Sequence, residues 1–564
     1  MGTGGPSGRD VLRGAVKGQR RDVVLGSVLG AGHQAGEALV PVLIGVVIDR
    51  AVARSDGGEL LLWVAVLGVV YIGLSFSFRF GARAGERAAE VAGHQLRAEL
   101  VRRVLHPSGG ADDGRLPGAL TNIATEDARR VGAVNMALLT GLAALTGLLV
   151  SAVLLLRISL PLGITVLLGT PLLLWLGHLL SKPLERRSEA EQERAAHASG
   201  IASDLVAGLR VLKGIGAESA AVARYRRTSR DSLTATLRAA RAEAGQNGMV
   251  LALTGAFIAV VALVGGRLAA RGDISLGELV SAVGLALFLL GPLSEFSWVN
   301  SEFAQGRASA ARIADVLAAP PGVAPATGVL PRPVEGRVRL RGVSYGTLRD
   351  VDLDASPGEV VGVVAIDPAD ATALLRCLGR QGDPHGGSVE LDGVPLATLD
   401  PADVRTAILV AEHDAHLFEG SLIGNVSAAT SDSAGIGRAM AASGADEVAK
   451  TLPLGGDTKV TARGGSLSGG QRQRVALARA LAADPPVLVV HDPATAVDAV
   501  TEATIAAGIR DVRRNRTTIM VTTSPALLAV TDRVVLVEGG RVADTALHAD
   551  LVRKHADYRA AVLS

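Results

Sequence analysis

Leu467-Ser468-Gly469-Gly470-Gln471 places a hydroxyl and two glycine N–H groups ahead of Arg472-Gln473-Arg474-Val475-Ala476-Leu477-Ala478-Arg479-Ala480-Leu481, which reads as a helix. Unsatisfied N–H groups and the positive end of the helix dipole make such a start an anion-binding cap. The chemistry it suits is a grip on a terminal phosphate. An ordinary N-cap accounts for Ser468, but not for the two glycines or the Gln-Arg-Gln-Arg sequence around them.

This run resembles the signature motif and helix of the ATP-binding-cassette (ABC) proteins, and the resemblance extends along most of the chain. Pro41-Val42-Leu43-Ile44-Gly45-Val46-Val47-Ile48-Asp49 is similar to the end of an exporter's first membrane helix. Gly114-Arg115-Leu116, with Asn122 to Arg130, is similar to its first cytoplasmic coupling segment, and Val211-Leu212-Lys213-Gly214-Ile215-Gly216-Ala217-Glu218 to its second. A membrane domain followed by a nucleotide domain implies an exporter-type half-transporter that works as a dimer, with ATP and Mg²⁺ as cofactors.

Several of the family's phosphate-handling residues are replaced. A phosphate loop reads G-x-x-x-x-G-K-[ST] between a strand and a helix, because glycines let backbone N–H groups curl around phosphate and the lysine neutralises it. Counted from Pro357-Gly358-Glu359 and the Leu374-Leu375-Arg376 helix, the positions here are Ala365-Ile366-Asp367-Pro368-Ala369-Asp370-Ala371-Thr372. Both glycines and the lysine are gone, and Pro368 removes one donor. Asp367 and Asp370 are expected where polyphosphate would lie, each repelling a phosphate charge by roughly 3 kcal/mol at ~5 Å and an effective dielectric of ~20. Thr372 alone is left to face a magnesium ion.

The strand before the hydrolytic centre should end in Asp, which holds the metal, then in Glu, which polarises the attacking water. Those positions are His491 and Asp492, so an imidazole replaces the metal-side carboxylate and a shorter acid replaces the base. His491 also reads simply as a satisfied strand-end residue. His413 takes the position of the family's Gln, and Thr523 that of its switch His. His413 and His416 suggest no metal site, since no third ligand is evident. Tyr345 reads either as a stacking partner for adenine or as a core residue, and Asp498 ends an Ala496-Val497-Asp498 segment that resembles the D-loop.

In the head-to-tail dimer that the resemblance implies, each ATP lies between one chain's phosphate loop and the other chain's signature. Ser468, Gly469, Gly470 and Gln471 are therefore expected on a partner's ATP. The partner is expected to be a second half-transporter with intact Lys and Glu, and this chain alone to hydrolyse ATP weakly or not at all. The alternative is a non-transporting regulatory membrane subunit that uses its nucleotide domain as a sensor.

The elements that position these residues follow from the distribution of apolar and basic residues. The 564 residues call for more than one domain, and the greasy half is the first. Apolar stretches of the ~20 residues that a crossing needs occur at 22–48, 59–82, 131–157, 159–181, 246–268 and 275–299. The basic run before the first of them has no small-residue cleavage site, so it reads as the start of a retained membrane helix. Segments 83–130 and 182–243 are long and Arg-rich, which places them, both termini and the nucleotide domain in the cytoplasm of a multi-pass inner-membrane protein. Their apolar spacing of three and four predicts helices that extend well below the bilayer.

Five prolines between 320 and 333 mark a semi-stiff linker, giving a membrane domain over 1–317, a linker over 318–335 and a nucleotide domain over 336–564. Beyond the linker, short valine-rich runs alternate with Ala/Leu/Arg helices, the pattern of buried parallel strands. The fold class expected is thus a six-helix α membrane domain with long cytoplasmic extensions, followed by an α/β P-loop-type nucleotide-binding domain. Lys+Arg 57 against Asp+Glu 55 offers no field for a nucleic-acid partner, and the single cysteine, Cys377, no intrachain disulfide. His33 and Glu37, four apart on one helical face, and Glu295 are either substrate contacts or interhelical hydrogen-bonding groups; the substrate itself is left open.

Overall fold

The computed structural model describes residues 5–413 and 416–563. It divides into two units, residues 1–101 with 118–318 and residues 102–117 with 319–564.

In the first unit, helices follow one another almost without interruption: α1 (Gly8–Gly18), α2 (Arg20–Val47), α3 (Gly57–Val104), α4 (Pro117–Asn122), α5 (Ala128–Ile158), α6 (Leu160–Ala207), α7 (Leu209–Gly214), α8 (Glu218–Ala270), α9 (Leu276–Phe288) and α10 (Leu290–Leu317). Five helical stretches among the described residues are long and apolar enough to cross a membrane, beginning at Gly57, Pro117, Leu160, Glu218 and Leu276. The 28-residue α2 has the length, but its mean apolarity falls short because His33, Gln34 and Glu37 interrupt it. It packs within the unit against α5 and α9, while α6 packs on α8 and α10 on α5. Large apolar side chains such as Leu61, Val69, Leu168 and Leu251 point outward, as they should where the surrounding solvent is hydrocarbon.

The second unit carries two sheets. β1 (Val338–Tyr345), β2 (Leu348–Ala355), β4 (Gly386–Leu391) and β5 (Val394–Pro395) form an antiparallel sheet in the order β2-β1-β4-β5, with β3 (Val360–Ala365) and α11 (Pro368–Leu378) intervening in the chain. After α12 (Pro401–Ala407) come β6 (Ile408–Ala411), β7 (Gly420–Ser421), α13 (Leu422–Val426), α14 (Ser433–Ser443), α15 (Ala445–Thr451), β8 (Lys459–Val460) and α16 (Gly469–Ala482). The chain then runs through β9 (Val487–His491), α17 (Ala499–Val512), β10 (Thr517–Val521), α18 (Pro525–Ala529), β11 (Arg533–Glu538), β12 (Arg541–Ala546), α19 (His548–Lys554) and α20 (Ala556–Leu563).

The order β12-β11-β3-β10-β9-β6 makes the central sheet parallel except at its β12 edge. Val360 to Val364 are all buried, so β3 reads as a continuous apolar run rather than an alternating one. One core lies between this sheet and the antiparallel one, and a second surrounds α14 to α16.

Of the linker expected over 318–335, residues 319–335 belong to this unit. Arg380 is 1% exposed, and its guanidinium donates to the carbonyls of Ala324 (2.9 Å), Ala397 (3.0 Å) and Leu399 and to the Asp383 carboxylate (3.2 Å). Such a charge is tolerated inside because its donors are filled.

Several carboxylates among the described residues of this unit titrate low, Asp354, Asp532 and Asp544 among them. Asp354 is held down by hydrogen bonds from Arg337 and Arg339 against its partial burial. Burial pushes Asp532 up, but the Val360 N–H and Arg510 outweigh it, and Lys554 and His555 hold Asp544 down. Depressed carboxylates add stability that is fully present above the unfolded value of about 3.9 and lost as pH falls through the folded values. The nucleotide unit should therefore lose stability on acidification below about pH 4, and replacing Asp354 by Asn should flatten that acid limb in a thermal-melt series.

Candidate functional site

Only Ile366 and Asp367 separate the end of β3 from the start of α11. Asp-Pro is a strong helix start: the Asp367 carboxylate caps α11 by accepting the Ala369 N–H at 2.8 Å, and Pro368 fills the first position, where no N–H is needed. Residues 368–371, expected as loop, are thus helical. The register corrects one expectation outright. Asp370 does not face a phosphate site; it is 2% exposed, on the core face with Leu374 and Cys377, and accepts the Gly540 N–H at 3.0 Å. Ala371 is buried on the same face, and Thr372 is exposed, with its hydroxyl donating to the Pro368 carbonyl at 3.0 Å. Asp367 supplies from within the chain the negative charge that this helix start would otherwise draw from an anion.

β9 ends at His491, and Asp492 follows in the left-handed region with φ 43°, its N–H donating to Val521 O at 3.1 Å. The His413 Nδ1 lies 3.2 Å from the Asp492 carbonyl oxygen, and the His413 and His491 rings meet edge-on at 6.1 Å. The His491 Nε2 is 3.7 Å from the Asp492 carboxylate, whose Oδ1 is buried without a hydrogen-bond partner among the described residues. Burial, with His413 adding to it, lowers the His491 imidazole below its ordinary value, while Asp492 and Glu412 pull the other way. At neutral pH an uncharged ring therefore stands where the sequence pattern calls for a carboxylate. In the sequence His413 has His416 nearby, with no site expected of the two; the fold brings it to His491. Thr523 is exposed in the loop between β10 and α18.

His413, His491, Glu412, Phe418, Gln473 and Arg479 line a cleft of about 510 Å³. Gln473 and Arg479 were visible only as part of a polar run, because their roles depend on what α16 packs against. Arg479 donates to the His416 carbonyl at 3.0 Å and lies 5.5 Å from the Phe418 ring centre.

At the other end of α16, Ser468 is exposed and serves as N-cap. Its Oγ accepts the Gln471 N–H at 3.3 Å, and the Gln471 side chain accepts the Ser468 N–H at 2.9 Å. A side chain at Gly470 would put its Cβ 2.4 Å from Ala496 O, so glycine is required there by close approach of the 495–498 segment. Gln473 fixes the same approach, donating to Thr495 Oγ1 and accepting the Ala496 N–H, each at 3.0 Å. Asp498 caps α17, accepting the N–H groups of Val500 and Thr501 and the Thr501 hydroxyl at 3.1, 3.0 and 2.7 Å. Tyr345 ends β1 with its ring stacked on His385 at 6.0 Å.

Two family models match, the "ABC transporter transmembrane region" over residues 23–293 and the "ABC transporter" model over 348–495. The chain belongs to the ABC transporters. The first of these models begins inside α2, so it takes in the helix that apolarity alone leaves out. The chain is 30% identical over 544 residues to a multidrug efflux ATP-binding/permease protein of Mycobacterium bovis, a match that covers 94% of this chain and 45% of that one. It therefore spans about half the length of that relative. It is 28% identical over 563 residues to an ATP-dependent lipid A-core flippase of Cupriavidus metallidurans, covering 96% and 93% of the two chains. The structure of a bacterial Atm1-family ABC exporter with ATP bound has the same fold, with a TM-score of 0.75, 23% identity and coverage of 98% of this chain and 99% of that one.

An ABC transporter's nucleotide unit is an ATP-binding domain, but the two candidate surfaces of this one differ in fitness for ATP. After β3, the capped helix start, the inward Asp370 and the missing lysine do not fit a polyphosphate. The start of α16 does, with an exposed hydroxyl and glycine N–H groups at the positive end of a 14-residue helix.

In the membrane unit, His33 Nδ1 lies 3.0 Å from Leu74 O on α3 and its Nε2 lies 3.7 Å from Glu37. This geometry is that of an interhelical link. Glu295 on α10 has a buried Oε2 with no partner among the described residues.

Proposed function

We propose that this chain is one subunit of a heterodimeric ATP-driven exporter and donates its signature, Ser468 to Gln471, to an ATP held by a partner half-transporter with intact phosphate-handling residues. The observation that supports this reading most directly is the two-residue connection from β3 into α11, closed by Asp367 and Pro368, in a chain that keeps an exposed, capped signature helix.

Two copies of this chain would combine two sound signatures with two closed loops, leaving no competent site. With a partner's loop, one site is complete: Mg²⁺ and the triphosphate belong to the partner, and Ser468 with the Gly469 and Gly470 N–H groups meets the terminal phosphate. That contact draws the nucleotide units together, and the long cytoplasmic helices carry the closure to the membrane pathway. The nucleotide units and both termini lie in the cytoplasm, on the side of the Arg-rich segments. Glu295, whose buried Oε2 has no hydrogen-bond partner among the described residues, is the residue assigned to the transported substrate.

The test is the ATPase activity of the purified chain alone in lipid discs, against the same chain co-purified with a half-transporter that keeps the loop lysine and catalytic Glu. Activity should require the pair. Turnover by the chain alone at the typical enzyme scale of about 1–10 s⁻¹ would overturn the reading.

A further inference from the structure

Glu295 lies in the last apolar stretch of the helical unit, and the helices around it supply no counter-ion. Lys and Arg are absent from residues 23–49, 131–156, 158–181 and 272–306, the apolar parts of α2, α5, α6 and of α9 with α10. The ionisable groups that act on Glu295 are Glu37 and His33 of α2, and these two already face each other at 3.7 Å. Its buried Oε2 has no hydrogen-bond partner among the described residues.

A second acceptor is left open on the neighbouring helix. Gln34 is 8% exposed, and its Oε1 also has no hydrogen-bond partner among the described residues. That oxygen lies 3.1 Å from the point a Cβ would occupy at Gly147 of α5, and the same point is 3.3 Å from the Phe288 ring and 3.4 Å from the Pro292 ring. Pro292 and Glu295 are three apart, on one face of α10, and a helical side chain leans over the turn before its own. Glu295 therefore covers the turn against which Gln34 points. Ser151, one turn beyond Gly147 along α5, adds another buried oxygen without a partner. Polar groups inside an apolar helix bundle are ordinarily paired with one another. Here a carboxylate oxygen and an amide oxygen are left open on adjoining turns, and what both lack is a donor that carries positive charge.

We infer that the transported substrate carries a protonated amine, which docks between Glu295 and Gln34. The inference rests on the assignment of Glu295 to the substrate made above, and adds the substrate's chemical class. An ammonium offers N–H donors to both oxygens and its charge to the carboxylate, while the Phe288 and Pro292 rings suit an apolar body. An anionic cargo would meet a carboxylate with no Lys or Arg to receive it. The approach has the same sign. Glu295, Trp298 and Glu302 recur at three and four along one face of α10, and the last two line a cavity of about 210 Å³ together with Glu86 and Glu90 of α3. Arg97 and Arg129 line it too, but Arg129 is held by the Glu126 carboxylate at 2.8 and 3.0 Å. A cation thus meets acids and an indole before it reaches Glu295.

The full chain in phosphatidylcholine discs is dialysed to equilibrium against octylamine, octanol or octanoate, which share a tail and differ in charge, with the uptake of empty discs subtracted. Octylamine, an ammonium at neutral pH, should bind saturably, and the other two should show no uptake beyond that of the empty discs. Glu295→Gln should weaken octylamine binding by about tenfold or more and Gln34→Leu by about threefold. Glu243→Gln, the same change of charge at an exposed position of α8, should leave it unchanged. Because Glu295 has no partner to lose, Glu295→Gln should melt no lower than the wild type, which separates loss of a ligand from loss of the fold. Equal uptake of octylamine and octanol, or octylamine binding that survives both Glu295→Gln and Gln34→Leu, would overturn the inference. Saturable octanoate binding that Glu295→Gln abolishes would overturn the class alone and leave Glu295 on the substrate. No nucleotide or partner chain enters the measurement, so its failure is distinct from failure of the ATPase test.

Discussion

Ser468→Arg is expected to abolish ATP turnover by the assembled transporter, by at least about a hundredfold, while Asp492→Asn in the same chain changes it by less than about twofold. The arginine would fill the space in front of the α16 start, where a partner's terminal phosphate is expected. Losing the cap itself costs only about 1 kcal/mol, too little to unfold a unit whose core surrounds α14 to α16. Ser468→Ala separates the two effects, because it removes the cap and the hydroxyl but leaves the space open; an intermediate loss is expected. Asp492 has its backbone bent back by its positive φ and one oxygen buried, beside a neutral His491 rather than a metal-holding carboxylate. Steady-state phosphate release from the proposed heterodimer in lipid discs decides the matter. Equal loss from Ser468→Arg and Asp492→Asn would mean that both sites turn over.

Rewriting the loop residues to the family pattern should not create a second site. In the double variant Asp370→Gly, Ala371→Lys, the lysine must be accommodated at a position 6% exposed, and the Gly540 N–H loses its acceptor. An unpaired buried charge and an orphaned donor together cost on the order of 3–5 kcal/mol. The expected result is a marked fall in melting temperature with no gain in fluorescent-ATP binding by the isolated chain. Tight Mg-ATP binding without loss of stability would show that α11 unwinds readily at its start and that the closed loop is no barrier.

The sequence made the signature legible because one helix start carries it: Ser468, two glycines and a polar run need no tertiary partner to be read. The helices and the valine-rich strands were legible for the same local reason, since period and run length report burial directly. Asp370 was not. As a residue type it is a carboxylate in a phosphate loop. Only the register of α11, set two residues earlier by Asp367 and Pro368, turns it into the core. The joining of His413 to His491 was equally hidden, because it depends on β6 and β9 lying side by side in the sheet. In α2, the polar residues that suggested a substrate path also lowered the apolarity by which a crossing is recognised.

Gln473 holds Thr495 and Ala496 with two hydrogen bonds, and Gly470 lies against the same backbone. The signature and the 495–498 segment are therefore one preassembled plate rather than two loops. A plate loses little conformational freedom when it docks, so the affinity it offers a partner is decided before the partner arrives. On the heterodimer reading proposed above, damage to Thr495 or Gln473 would surface as slower encounter-to-closure kinetics with the partner.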